Sequence, residues 1–144
     1  MAIETVPAMR MIETRVRTIM SAPVVTVDPE ASLIAAAQRL VEKDVGSLVI
    51  VVDGVAHGII TEADIVAATA AGIDPATVDV AQWMSAPVVT VKASATLGEA
   101  ASVMAEQAIQ KLPVVDDRTL VGIVTTSDLA RYIPEYRWRT LERG

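Results

Sequence analysis

With 144 residues the chain is about one domain long, or two half-size units sharing a core. Hydrophobic residues make up 52% and are nearly all aliphatic, with no Phe; this is ample for burial, yet no stretch approaches the about 18 continuous apolar residues that a membrane span needs. A net charge of −6, no Cys and a single His argue against a nucleic-acid surface, disulfides, thiol chemistry and His-based metal or triad sites.

Met9, Ile12, Val16 and Ile19 recur at helical spacing and predict a short amphipathic helix with Pro7 near its start. No basic-then-apolar leader is present, so the cytoplasm is the expected compartment. Val24 to Val27 reads as a short strand, and Asp28 to Ala31 as a turn. Ser32 caps a helix running to about Lys43, with Leu33, Ala36, Ala37 and Leu40 on one face. Leu48 to Val52 is an apolar run, expected as a buried strand. Asp53-Gly54 is a hairpin turn, Val55 to Thr61 the return strand, and Glu62 to Ala71 a second helix that Gly72 ends. His57 falls in the return strand and reads as a surface residue. Ile73-Asp74-Pro75 opens a linker.

The same order then repeats. Thr96-Leu97-Gly98-Glu99 predicts a capping box, Leu112 to Val115 the buried strand, and Asp116-Asp117-Arg118 the turn. Thr119 to Thr125 returns, and a last helix starts near Thr126 and stops before Pro134. The tail, Glu135 to Gly144, sets Tyr136 and Trp138 among arginines and reads as an arm. Basic residues gather at the two ends: Arg10, Arg15 and Arg17 before the first copy, and Arg131, Arg137, Arg139 and Arg143 after the second. A solvated terminal face is one reading of them, and a contact with acidic surface or a partner chain is the other.

The two copies can be aligned without a gap. Met20-Ser21-Ala22-Pro23-Val24-Val25-Thr26-Val27 recurs unchanged from Met84 to Val91, an offset of 64 residues. From Met20 to Ile65 against Met84 to Leu129, 20 of 46 positions are identical. Two copies are too few for a solenoid. The expected fold is α/β: two tandem β-α-β-β-α repeats related by a pseudo-two-fold axis. The expected domains are a lead-in over 1–17, repeat 1 over 18–72, a linker over 73–81, repeat 2 over 82–133 and a tail over 134–144.

Thr61 with Asp64, and Thr125 with Asp128, recur where a strand turns into a helix. Thr-x-x-Asp is itself a capping box variant, so a purely structural role is open. The functional reading uses the same place: N–H groups at a helix start favour phosphate, and a carboxylate there can take both hydroxyls of a ribose. Met20 and Met84 read as core plugs, and the Ala-rich helices as close-packed or dimer surface.

With Met-Ser-x-Pro-Val-Val-Thr-Val leading and Gly-Ile-Val-Thr-x-x-Asp-Leu closing, the chain resembles a pair of CBS (cystathionine β-synthase type) domains over roughly residues 18 to 131. The resemblance implies a regulatory, non-catalytic module with two clefts that bind adenosine compounds: AMP, ADP, ATP or S-adenosylmethionine. It implies no obligatory cofactor, a homodimer in the form of a disk, and output through an effector protein. One cleft would use Thr125, Ser127 and Asp128 for phosphate and ribose, Lys111 as a cation, and Ser21, Pro23, Val25, Val45 and Gly46 around the base. The other would use Thr61 and Asp64, with Ser85, Pro87, Val89, Ile109 and Gln110 as base wall. Ser47, Ala63 and Glu62 in the first copy stand where the second has Lys111, Ser127 and Thr126. The Asp128 cleft is therefore expected to suit phosphate better. Lys111 also has a plainer reading, as a lysine reaching solvent from a strand end. A structural dimerisation module without ligand is the competing function; an enzyme, a membrane protein and a nucleic-acid binder are disfavoured.

Overall fold

The computed structural model describes residues 13–132. The described elements are, in order, α1 (Val16–Ile19), β1 (Thr26–Val27), α2 (Leu33–Lys43), β2 (Ser47–Val52), β3 (Val55–Thr61), α3 (Glu62–Ala70), β4 (Val91–Lys92), α4 (Leu97–Gln107), β5 (Lys111–Asp116), β6 (Thr119–Thr125) and α5 (Thr126–Tyr132), with a 3-10 turn at Val80–Gln82 before β4. They form two three-stranded sheets, β1-β2-β3 and β4-β5-β6. In each sheet a short first strand runs parallel to the second. The expected mixed α/β order of the two copies is therefore present.

The chain divides into two compact units. A central unit spans Pro23–Val89 and takes in Arg118–Leu120; a flanking unit holds the rest, which among the described residues is 13–22, 90–117 and 121–132. Each copy's Met-Ser leader thus lies in the unit built on the other copy's body.

In the central unit, Ser32 accepts a hydrogen bond from the Ala35 N–H at 3.1 Å and starts α2. Asp44 ends it in the left-handed region at φ 54°. Leu33, Ala36 and Leu40 point from that helix into a core completed by Leu48, Ile50, Ile60, Ala68 and Val80. Alanines at 36 and 68 let the helices approach the sheet, so these two serve the core rather than an outer surface. The segment after α3 is drawn into the same core: Leu33 donates to the Val78 carbonyl at 2.9 Å, and Val80 to the Ala31 carbonyl at 2.8 Å. The β2-β3 hairpin closes through Asp53 and Gly54, both at positive φ (51° and 79°), as a two-residue hairpin turn requires. Its register slips by one residue between Ile50↔Gly58 and Val51↔Ala56, and the extra residue, His57, is exposed.

The flanking unit repeats this plan. Thr96 accepts from the Glu99 N–H at 3.1 Å, so the caps of α2 and α4 are equivalent. Ala108 ends α4 at φ 54°. Val16, Leu97, Ala100, Leu112, Val114 and Val124 are buried. The lead-in departs from expectation. Arg15 is extended and bridges Thr96, and Val16 donates to the Ala95 carbonyl at 2.8 Å, so the helix that holds Val16 and Ile19 starts only at Val16. Backbone pairing to the second copy outweighs the helical spacing there. Pro7, Met9, Ile12 and the tail from Pro134 onward lie outside the described residues.

Candidate functional site

The two Thr-x-x-Asp turns are built alike, each within its own unit. In the central unit, Gly58 to Thr61 ends β3 and Glu62 starts α3, its N–H donating to the Gly46 carbonyl at 3.1 Å. In the flanking unit the N–H of Thr126 donates to the Gln110 carbonyl at 2.9 Å. Each helix start is thereby tied to the peptide just before its unit's second strand. Val45 and Gly46 lie in the unit of Thr61 and Asp64; Ile109, Gln110 and Lys111 lie in the unit of Thr125, Ser127 and Asp128.

Both turns cap as the sequence allows. Asp64 Oδ2 accepts from the Thr61 N–H at 2.8 Å and from Thr61 Oγ1 at 3.0 Å, and Thr61 Oγ1 accepts from the Asp64 N–H at 3.3 Å. Asp128 Oδ2 accepts from the Thr125 N–H at 2.9 Å, and Thr125 Oγ1 from the Asp128 N–H at 3.2 Å. A structural role is therefore real at both. It spends one oxygen of each carboxylate and leaves the other.

The second oxygens differ. Asp64 Oδ1 takes no hydrogen bond from the described residues, whereas Asp128 Oδ1 accepts from Arg131 Nη2 at 2.9 Å. The aligned residue in the first copy is Ala67, which is exposed and carries no charge. Arg131 was the residue that sequence reasoning missed, having been grouped with the terminal arginines. The signal was its place one turn after Asp128, where an i,i+3 pair forms, against an alanine in the other copy.

Each unit also has a recess beside its turn. In the central unit a groove of about 520 Å³ runs between α2 and α3, lined by Val41, Val45, Gly46, Glu62, Ile65 and Val66 among others. In the flanking unit a smaller one of about 240 Å³ is lined by Ile19, Asp128, Arg131 and Tyr132. Tyr132 is tied back by a 2.9 Å hydrogen bond between its hydroxyl and Thr14 Oγ1.

The remaining expected site residues fall on the leaders and strand ends. Ser21 exchanges two backbone hydrogen bonds with Ile123 (2.9 and 3.0 Å), within the flanking unit. Ser85 does the same with Ile59 (2.9 and 3.2 Å), within the central unit. Pro23, Val25, Pro87 and Val89 are in the central unit, with Val25 and Val89 half-buried and the two prolines exposed. Lys111 is half-buried at the start of β5 and Ser127 is exposed in the first turn of α5. Each leader methionine is half-buried, and its sulfur packs on a glycine of the strand that its serine pairs with: Met84 on Gly58, and Met20 on Gly122.

A CBS domain family model matches residues 16–71 and again 79–135. The chain belongs to the CBS domain family. This CBS pair is 40% identical over 125 residues to hypoxic response protein 1 of Mycobacterium tuberculosis, an alignment that covers 85% of this chain and 87% of the relative. The crystal structure of that protein, with two coordinated zinc ions, matches with a TM-score of 0.74 over 84% of this chain and 100% of the other. The CBS domain pair of protein MJ0100, solved with 5'-methylthioadenosine and S-adenosyl-L-methionine, matches with a TM-score of 0.77 at 33% identity, covering 85% and 97% of the two chains. A hexameric CBS-CP12 protein from bloom-forming cyanobacteria matches with a TM-score of 0.76 at 31% identity, covering 82% and 67%.

The zinc of the first relative does not fit this CBS pair. Zinc favours Cys and His ligands, and this chain has no Cys and one His. Among the described residues no group of three or more His, Cys, Asp or Glu is placed to hold a metal. No helix among them is long and apolar enough to cross a membrane.

Proposed function

We propose that the chain is a regulatory, non-catalytic module that binds adenosine-containing ligands at its two Thr-x-x-Asp turns. The observation that carries this reading is the division of labour within each carboxylate. One oxygen fixes the turn, and the other is left to an exposed arginine or to no described group at all. A carboxylate held rigid by its own backbone, with an oxygen to spare, suits the two hydroxyls of a ribose. The ligands of the MJ0100 pair both carry an adenosine, which supports the class. The site residues are those assigned from the sequence: Thr61, Asp64, Ser85, Pro87, Val89, Ile109 and Gln110 for one ligand, and Ser21, Pro23, Val25, Val45, Gly46, Lys111, Thr125, Ser127 and Asp128 for the other.

The Asp128 set suits a phosphate better. Lys111 and Ser127 add a cation and a hydroxyl there, where the Asp64 set has Ser47, Ala63 and the anionic Glu62. AMP, ADP or ATP is the expected class at Asp128, and the Asp64 set either stays empty or takes a less charged adenosine compound. The cytoplasm supplies such ligands. Micromolar binding, about −8 kcal/mol, is sufficient to bias a two-state equilibrium if the ligand prefers one state.

Output passes to a second copy or to an effector chain. The α2-α3 groove favours a homodimer: Val41 and Val66, 80% and 67% exposed, stand together on its rim, and a joined apolar face of this kind marks contact surfaces.

The test is calorimetric titration of AMP, ADP, ATP and S-adenosylmethionine into the wild type, Asp64→Ala and Asp128→Ala. Loss of AMP binding in Asp128→Ala with retention in Asp64→Ala is expected. The reverse pattern would overturn the ranking, and no heat or thermal shift with any of the four would favour a structural module without ligand.

A further inference from the structure

We propose that Arg131 sets the ligand charge accepted at Asp128, and that its absence at Ala67 leaves Asp64 without that preference for a ligand anion. This rests on the reading of Asp128 as the group that holds a ligand diol.

The Asp128 side chain is only 12% exposed, and its Oδ2 is spent on the Thr125 N–H. Its remaining outlet is Oδ1, and Arg131 occupies it at 2.9 Å. Any hydroxyl that reaches Oδ1 must share it with the guanidinium or displace it. Displacement costs little, because the Arg131 side chain is 79% exposed and water takes over the contact it leaves. What happens next depends on the ligand. A guanidinium has five N–H donors in a planar fork that matches a phosphate, and only one contact to Asp128 is made here. A phosphorylated ligand gives the displaced arginine a new anionic partner. A neutral nucleoside separates the pair and offers nothing in return. The recess lined by Ile19, Asp128, Arg131 and Tyr132 gives the side chain room to move between the two positions.

The first copy lacks the device. Ala67 holds the aligned position, Asp64 Oδ1 is bare among the described residues, and Glu62 adds a negative charge two residues earlier. A hydroxyl pair meets no competitor there, and a phosphate meets no arginine.

The experiment compares AMP with adenosine by titration calorimetry in the wild type, Arg131→Ala and Arg131→Lys, and in Ala67→Arg built on Asp128→Ala so that only Asp64 reports. Loss of the arginine is expected to weaken AMP about tenfold, the size of one charge-assisted hydrogen bond, while adenosine binds as well as before or better. Lysine should restore part of the preference. Ala67 is exposed, so the added arginine fits, and it should raise the AMP-to-adenosine affinity ratio at Asp64. An unchanged ratio in Arg131→Ala, with both ligands still bound, overturns the role of Arg131 alone. If the wild type binds neither ligand at millimolar concentration, the diol reading of Asp128 fails and this proposal falls with it.

Discussion

The sulfur of Met20 lies on Gly122 so closely that the glycine has no room for a Cβ. Met84 and Gly58 repeat the arrangement. Both glycines have only backbone in that space, and the thioether fills it while the following serine pairs with the next residue of the strand. Gly122→Ala is expected to cost about 1–3 kcal/mol by overpacking. Combined with Met20→Ala, the cost should be less than the sum of the two single changes, since the clash goes with the side chain. Urea denaturation of the two singles and the double measures it.

Five residues other than glycine sit in the left-handed region that glycine or asparagine prefers: Asp44, Asp53, Ala108, Asp117 and Arg118. Ala108 ends α4 at φ 54°, and the β5-β6 turn holds Asp117 and Arg118 at φ 48° and 74°. Ala108→Gly and Arg118→Gly should each raise stability by about 0.5–1 kcal/mol, with no change in ligand affinity. Thermal denaturation of the two variants checks this.

The two capping threonines are not equal. Thr61 Oγ1 both donates to Asp64 and accepts from its N–H, whereas Thr125 Oγ1 only accepts from the Asp128 N–H. Thr61→Ala should therefore cost more than Thr125→Ala, with both in the range of about 0.5–2 kcal/mol for a lost N-cap. Equal losses in chemical denaturation would show that the extra hydroxyl bond contributes nothing.

The groove between α2 and α3 gives a test of association. Val41→Glu with Val66→Glu puts two like charges on a face whose valines are already exposed, so the fold should tolerate them. Sedimentation velocity should show a dimer for the wild type and a monomer for the double variant. A wild type that stays monomeric across micromolar concentrations rules out this face as the contact.

Much of the fold could be read from the chain. The hairpin at Asp53-Gly54, the cap at Ser32 and the strand-to-helix turns at Thr61 and Thr125 rest on short-range rules, and all are present. What the pattern did not report was the break at Arg15. Val16 and Ile19 do lie in a short helix, but Arg15 is held extended by Thr96, a contact 81 residues away in sequence that no local pattern reports. The site was legible in the same uneven way. Its repeated carboxylates stood out because duplication marked them. The arginine on one of them did not, because pairing at i,i+3 depends on side-chain geometry rather than on spacing alone.

The leaders carry a last consequence. Ser21 pairs with Ile123 in one unit and Ser85 with Ile59 in the other, so each copy's opening segment completes the other copy's body. Cleavage in the segment between the repeats would leave two fragments, each holding the Met-Ser leader that its counterpart needs. Neither should be whole alone, and mixing them should reconstitute both units at once. The shared Met-Ser that opens each copy then has a mechanical meaning: Met20-Ser21 and Met84-Ser85 are interchangeable parts cut to fit one kind of seat.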